Sequence, residues 1–251
     1  MIIDVDTHMS PYRNVSISID AAEWNEKMIS AGVDKALCWL MPQQVSDVTE
    51  SNRYLYESSK KYDKIIPFGW ANVGGEGVSK SLRDVEQCIG EFGFKGVKIN
   101  GAQNCYYIDS KECFTVCDKI ATMGGIIAFH IGADEPDFTS PLRAEKIARA
   151  FPETTILMVH MGGAAIPDCS DYVIDIAINN PNMMLIGSAL PAASVANGIK
   201  RLGADRIMFG SDTPFFDIHK SIEDYRKMLV EFGSDVAEKV MGLNAKRILH
   251  L

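Results

Sequence analysis

Met1-Ile2-Ile3-Asp4-Val5-Asp6-Thr7-His8 is the stretch on which the reading of this chain turns. Apolar Ile3 and Val5 alternate with Asp4, Asp6 and His8, the period-two pattern of a strand with two unlike faces. An ordinary half-exposed strand alternates too, so the pattern alone decides little. The chemistry adds more. Asp6 and His8 project from one side near the strand's C-terminal end, where a carboxylate oxygen and an imidazole nitrogen can share a divalent cation. A buried Asp–His hydrogen-bonded pair explains the same residues equally well. Ligands arriving from elsewhere in the chain would distinguish the two.

Outward from this stretch, strands and helices alternate. A helix from about Asp20 to Ala31, with Asp20 as N-cap, leads to the apolar strand Lys35–Met41. A helix over 46–62 precedes the strand Ile65–Ala71, which carries Pro67 near its start. The Gly74–Gly77 segment lacks the lysine and spacing of a phosphate loop and reads as a turn. Further strands are expected at Lys95–Asn100, Gly125–His130, Thr155–His160, Met183–Ser188 and Arg206–Ser211, with helices between and two more at the end. About eight strands, mostly continuous apolar runs each followed by a helix, predict an α/β fold of the (β/α)8 TIM-barrel class over residues 1–251 as one domain. A doubly wound sheet competes, but it more often carries a glycine fingerprint after its first strand. Here that strand ends in Asp6-Thr7-His8.

The chain has 251 residues, 47% of them hydrophobic, enough for a full core. Its net charge of −8 argues against nucleic acid or an anionic membrane as partner. Apolar runs fall short of a membrane span, and no basic or apolar leader precedes the first strand, so a cytoplasmic location is expected. Six cysteines without a CxxC pattern fit reduced, mostly buried thiols. Cys113 and Cys117 share a helix, but no second cysteine or histidine pair accompanies them as a metal site would require.

Barrel enzymes place their catalytic groups at the C-terminal ends of the strands. Of the five histidines, His8, His130 and His160 end the first, fifth and sixth strands, and Asp212 ends the eighth. A lone histidine there is more often a satisfied core residue; four strand ends converging on one rim point to a metal site. His219 and His250 fit rim and solvated positions.

The ordered set Asp6-Thr7-His8, Gly93-Phe94-Lys95-Gly96-Val97-Lys98, Phe129-His130, His160-Met161-Gly162-Gly163, Phe209-Gly210-Ser211-Asp212-Thr213-Pro214 and Asn244-Ala245-Lys246-Arg247 resembles the amidohydrolase superfamily. More narrowly it is similar to the amidohydrolase 2 branch, which holds metal-dependent hydrolases and decarboxylases of the aminocarboxymuconate-semialdehyde and resorcylate type. The resemblance implies one divalent ion held by Asp6, His8, His130 and Asp212, with His160 as a catalytic histidine outside the ligand set. Most of the superfamily carries His-x-His on the first strand, where this chain has Asp6 and His8. Two carboxylates and two neutral imidazoles bring a 2+ ion to formal neutrality, where a histidine at position 6 would leave +1. A more neutral site polarises water less, and the harder oxygen ligand makes Mn²⁺ more competitive with Zn²⁺. Zinc ranks first and manganese second.

Lys98, on the fourth strand, could bridge two metals if carboxylated, but the second ion would need further histidines. A cation facing an acidic substrate, or paired with Asp4 or Asp6, fits better. The expected activity is metal-dependent hydrolysis of a small carboxylate-, lactone- or amide-bearing substrate. Asp212 would serve as general base, and His160 would polarise the carbonyl or protonate the leaving group. The alternative is non-oxidative decarboxylation of a small aromatic or unsaturated acid, a carbon–carbon lyase reaction with Asp212 shuttling the proton. Arg13 and Lys98 are candidates to hold an anionic substrate, and Trp70 to stack on a ring; salt-bridging and packing are their ordinary alternatives. A barrel that keeps metal only for structure would favour a cysteine-rich shell, unlike this one. Tyr106 and Tyr107, in the longer 101–109 loop, stand among the residues that would set the substrate. A homodimer is the default expectation for such a barrel.

Overall fold

The computed structural model describes residues 1–12, 16–41, 48–132, 135–163 and 169–251. Arg13 and the first two residues of the expected 46–62 helix lie outside that set. The described strands are β1 (Ile3–Met9), β2 (Lys35–Leu40), β3 (Ile65–Pro67), β4 (Gly69–Ala71), β5 (Gly96–Ile99), β6 (Ile126–His130), β7 (Ile156–Val159), β8 (Met183–Ile186) and β9 (Ile207–Met208). All adjacent pairs are parallel, in the orders β1-β2-β3 and β4-β5-β6-β7-β8-β9.

The two ladders close into a TIM barrel. β3 and β4 are halves of one strand separated by Phe68, so the expected third strand is present but broken. Pro67 has no N–H to give, while the Phe68 amide still donates to Cys38 O on β2 at 3.0 Å. On the other side, Val5 N donates to Phe209 O (3.0 Å), Asp212 N to Asp6 O (2.8 Å) and His8 N to Thr213 O (2.7 Å), tying β1 to the segment after β9. Gly210 permits this approach, because a Cβ there would lie 2.9 Å from Asp6 Cβ and 3.1 Å from Ser188 Cβ.

β1 is buried along its whole length, which refines the reading of its alternation. One face looks out to the helices: Thr7 Oγ1 accepts from Trp24 Nε1 of helix Ala21–Ser30 at 3.0 Å and donates to Leu37 O. The other looks into the barrel, where Asp6 and His8 meet residues from across the sheet. The polar half of the pattern marks a second buried face.

The helical layer follows local signals. Asp20 caps Ala21–Ser30 by accepting from Ala22 N and Glu23 N, and the Glu23 side chain returns to Asp20 N. Ser110 caps Lys111–Thr122, accepting from Cys113 N at 3.2 Å. Two segments expected to be irregular wind into single helical turns, Val73–Glu76 and Gly101–Asn104, because Asn72 and Asn100 accept from Gly75 N and Gln103 N. Among the described residues no helix is long and apolar enough to cross a membrane.

Candidate metal centre

Asp6, in the middle of β1, is the hub of the site. Its Oδ1 accepts from Trp39 Nε1 at 2.9 Å and lies 3.9 Å from Lys98 Nζ. Its Oδ2 accepts from Ser188 Oγ and lies 3.5 Å from His160 Nδ1. Burial alone would raise this carboxyl. Lys98 first, then the hydrogen bond with His8 and the charge of His160, outweigh it and hold Asp6 well below the ordinary carboxylate range.

Asp4, two residues earlier, holds this hub against the end of β9. Its Oδ1 accepts from Asp6 N (3.1 Å) and Ser211 N (3.0 Å). Full burial pushes its carboxyl up to about 7, against the hydrogen bonds from Ser211 and Asp6.

His8 Nδ1 lies 2.6 Å from Leu40 O. A carbonyl only accepts, so Nδ1 carries the hydrogen and Nε2 turns its lone pair inward. There it meets Asp212 Oδ1 at 3.2 Å, Asp6 Oδ1 at 3.5 Å and Trp39 Nε1 at 3.2 Å. Burial and Lys98 press the His8 imidazole down, but the Asp212 and Asp6 carboxylates that face Nε2 favour a proton there and leave the pKa raised; a cation at that point would take the proton's place.

His160, directly after β7, and Asp212, after β9, both adopt left-handed backbone, with φ of 66° and 60°. For residues with a side chain that conformation costs energy, and it gathers at functional sites. Here it turns two strand ends back towards Asp6. Ser188 Oγ gives its one hydrogen to Asp6, so it accepts from His160 Nδ1 at 2.9 Å. With Nδ1–H so directed, Nε2 is the His160 nitrogen left for proton transfer. His130, at the end of β6, packs edge-on against the His160 ring, with centroids 4.9 Å apart. Burial, then His160 and Lys98, hold His130 far below the ordinary histidine value, so it is a neutral imidazole.

These donors fit a divalent cation. Asp6, His160 and Asp212 each offer a ligand atom within 4.8 Å of the others, and all three are buried. Nitrogen and oxygen ligands at about 2.1 Å from one ion stand roughly 3.0–3.5 Å apart, the spacing His8 Nε2 keeps from both carboxylates. Of the residues singled out in the sequence, His8 meets both Asp6 and Asp212, His160 meets Asp6 with Asp212 nearby, and His130 adjoins them through His160. Lys98 is wholly buried against Asp6 with Trp39 over its ammonium, and Trp70 is buried with its Nε1 donating to Asn104 Oδ1 at 3.0 Å. The sequence reading missed Trp39 and Ser188. Ser188 ends its expected strand, the same signal that singled out the histidines; Trp39 stood inside an apolar run with nothing to mark it.

The amidohydrolase family model matches residues 42–251. Comparison with curated proteins gives no match. Among solved structures the chain is similar to 2,6-dihydroxybenzoate decarboxylase from Rhizobium (TM-score 0.77, 16% identity, 99% of this chain and 98% of that one). It is also similar to 5-carboxyvanillate decarboxylase from Sphingomonas paucimobilis (0.77, 18%, 100% and 99%). A third is dihydroxybenzoic acid decarboxylase from Polaromonas sp. JS666, solved with bound manganese and the inhibitor 2-nitroresorcinol (0.79, 17%, 100% and 97%). At these identities the likeness is one of fold.

Proposed function

The chain belongs to the amidohydrolase family, and within it we propose that this protein is a metal-dependent non-oxidative decarboxylase of a small aromatic or unsaturated acid. The observation that carries this reading above hydrolysis is the whole-chain likeness to three aromatic-acid decarboxylases, each covered over 97–99% of its length. The sequence alone ranked hydrolysis first; the relatives reverse that order.

On the family resemblance Asp6, His8, His130 and Asp212 would hold one divalent ion, with His160, which stands in the same cluster as the two carboxylates, kept for proton transfer. When bound, it supplies positive charge against the anionic substrate. Manganese in the Polaromonas relative, together with two carboxylate donors in this chain, supports Mn²⁺ ahead of Zn²⁺. Asp212, a carboxylate at rest, takes a proton from solvent and passes it to the carbon that bears the substrate's carboxylate. The bond from that carbon to the carboxylate then breaks, its electron pair returns to the unsaturated system, and CO₂ leaves with hydrogen in its place. His160 would stand on the side of the departing carboxylate, its Nδ1–H, held by Ser188, fixing the ring and leaving Nε2 to exchange a proton there. Phe215 packs edge-on against His8 at 5.4 Å and is 40% exposed, so it offers an apolar wall to a planar substrate.

The test is to incubate the Mn²⁺-loaded protein with 2,6-dihydroxybenzoate, 5-carboxyvanillate and a panel of lactones, esters and amides. Release of CO₂ from an acid, lost in Asp212→Asn, is the expected result. Turnover of the lactones, esters or amides with no CO₂ from any acid would return the assignment to hydrolysis.

A further inference from the structure

Lys98 takes no part in the chemistry proposed above, yet its ammonium stands among the site residues. Nζ lies 3.9 Å from Asp6 Oδ1 and 3.9 Å from the centre of the Trp39 ring, with the Trp70 ring at 5.6 Å. Strand register puts it there: Lys98 pairs with Trp70 on β4 and with Ala128 on β6. The residue is wholly buried. Burial works against the charge, while a carboxylate on one side and indole faces on the other hold the ammonium in place; so deep in the fold the charge is weakly screened.

This cation changes the charge count of the site. Asp6 and Asp212 bring −2, and neutral imidazoles bring nothing, so a divalent ion held by them alone would sit at formal neutrality. Adding Lys98 makes the fixed charge −2 + 1 = −1 and leaves a bound 2+ ion at +1. A histidine at position 6 with no lysine beside it would give the same net charge. We propose that Lys98 is the electrostatic counterpart of Asp6. The pair lets this chain use a carboxylate ligand on its first strand while keeping the electrophilicity of a histidine ligand, at the expense of cation affinity. Lys98 acts through Asp6 and is a positioning residue. The inference rests on the reading that Asp6 is a metal ligand.

The experiment is a Mn²⁺ titration of the full-length protein, with free Mn²⁺ followed by electron paramagnetic resonance and no turnover involved. An ammonium about 4 Å from a ligand oxygen opposes cation binding strongly at the effective dielectric of a buried site. Lys98→Met is expected to bind Mn²⁺ at least about tenfold more tightly than wild type, and Lys98→Arg within about threefold of it. Should the methionine variant fail to give the wild-type circular dichroism spectrum, Lys98→Gln, which keeps a polar head between the indoles, is read in its place. Equal or weaker binding by the folded, uncharged variant overturns the inference while leaving the metal site standing. A wild-type protein that takes up no Mn²⁺ overturns the metal site itself, and the inference with it.

Discussion

Asp6 and Asp109 are both aspartates held by cations, one inside the barrel and one in the outer layer. Asp109 receives Arg143 at 2.6 Å and Lys146 at 2.5 Å, closer than Lys98 comes to Asp6. By distance alone the outer group is the stronger. Yet the Lys146 side chain is 62% exposed, against 1% for Lys98. Water and salt screen the outer group from its lysine side, although the Asp109 side chain itself is only 7% exposed. The inner pair has no such exposed side, and Trp39, Ser188 and His8 are all arranged around it. A short ion pair at the surface pins a loop; a longer one in the interior sets the charge of everything near it.

Asp6→Asn should show the widest gap between the two. It removes a candidate ligand and leaves Lys98 buried without its countercharge, a loss of roughly 3–5 kcal/mol of stability. Metal affinity should fall more than about 100-fold, beyond the roughly 10–100-fold that loss of an outer-sphere partner produces, and metal content by elemental analysis should fall with it. Wild-type melting and metal content in this variant would break the comparison.

Trp39→Phe sharpens it, because an aromatic ring over Lys98 stays while the N–H shared between Asp6 and His8 goes. We expect a loss of about 1–3 kcal/mol in chemical denaturation and metal affinity about 10–100-fold weaker. No change in either would mean that Asp6 does not depend on the indole.

Asp109→Asn should have the smallest effect, up to about 1 kcal/mol, shrinking further in high salt and leaving metal uptake unchanged. Its pH dependence has a definite sign. Burial would raise the Asp109 carboxyl, but Lys146 and Arg143 outweigh it and hold it below its usual value. The stabilisation is therefore complete above the ordinary aspartate value near 4 and is lost as pH falls through the lowered one. Denaturation curves of wild type and variant should converge on the acid side; a gap that widens there would refute the assignment.

The sequence made the barrel legible because alternating strands and helices carry their own periodicity, and Asp6, His8, His130, His160 and Asp212 because each ends a strand. What it left unread depends on register across the barrel. That Lys98 turns to Asp6 follows from packing against Trp39 and Trp70, on two other strands. Ser188 reaches Asp6 from 182 positions along the chain. Trp39 carries no local mark of its role, since an indole in an apolar strand is ordinarily core. The break at Phe68 has a visible cause in Pro67, but whether a strand ends or resumes there depends on the Cys38 carbonyl next door.

The bonds that close the barrel, from Asp212 N to Asp6 O and from His8 N to Thr213 O, bear also on how the protein is made. During synthesis Asp6 emerges early and Lys98 follows, but Asp212 arrives some two hundred residues after its partner. Such distant pairings form late and slow a chain's maturation. A partly synthesised chain thus holds the cation and one carboxylate, and gains its second carboxylate only when the last strand docks. The proposed metal site is complete only after the last strand has docked.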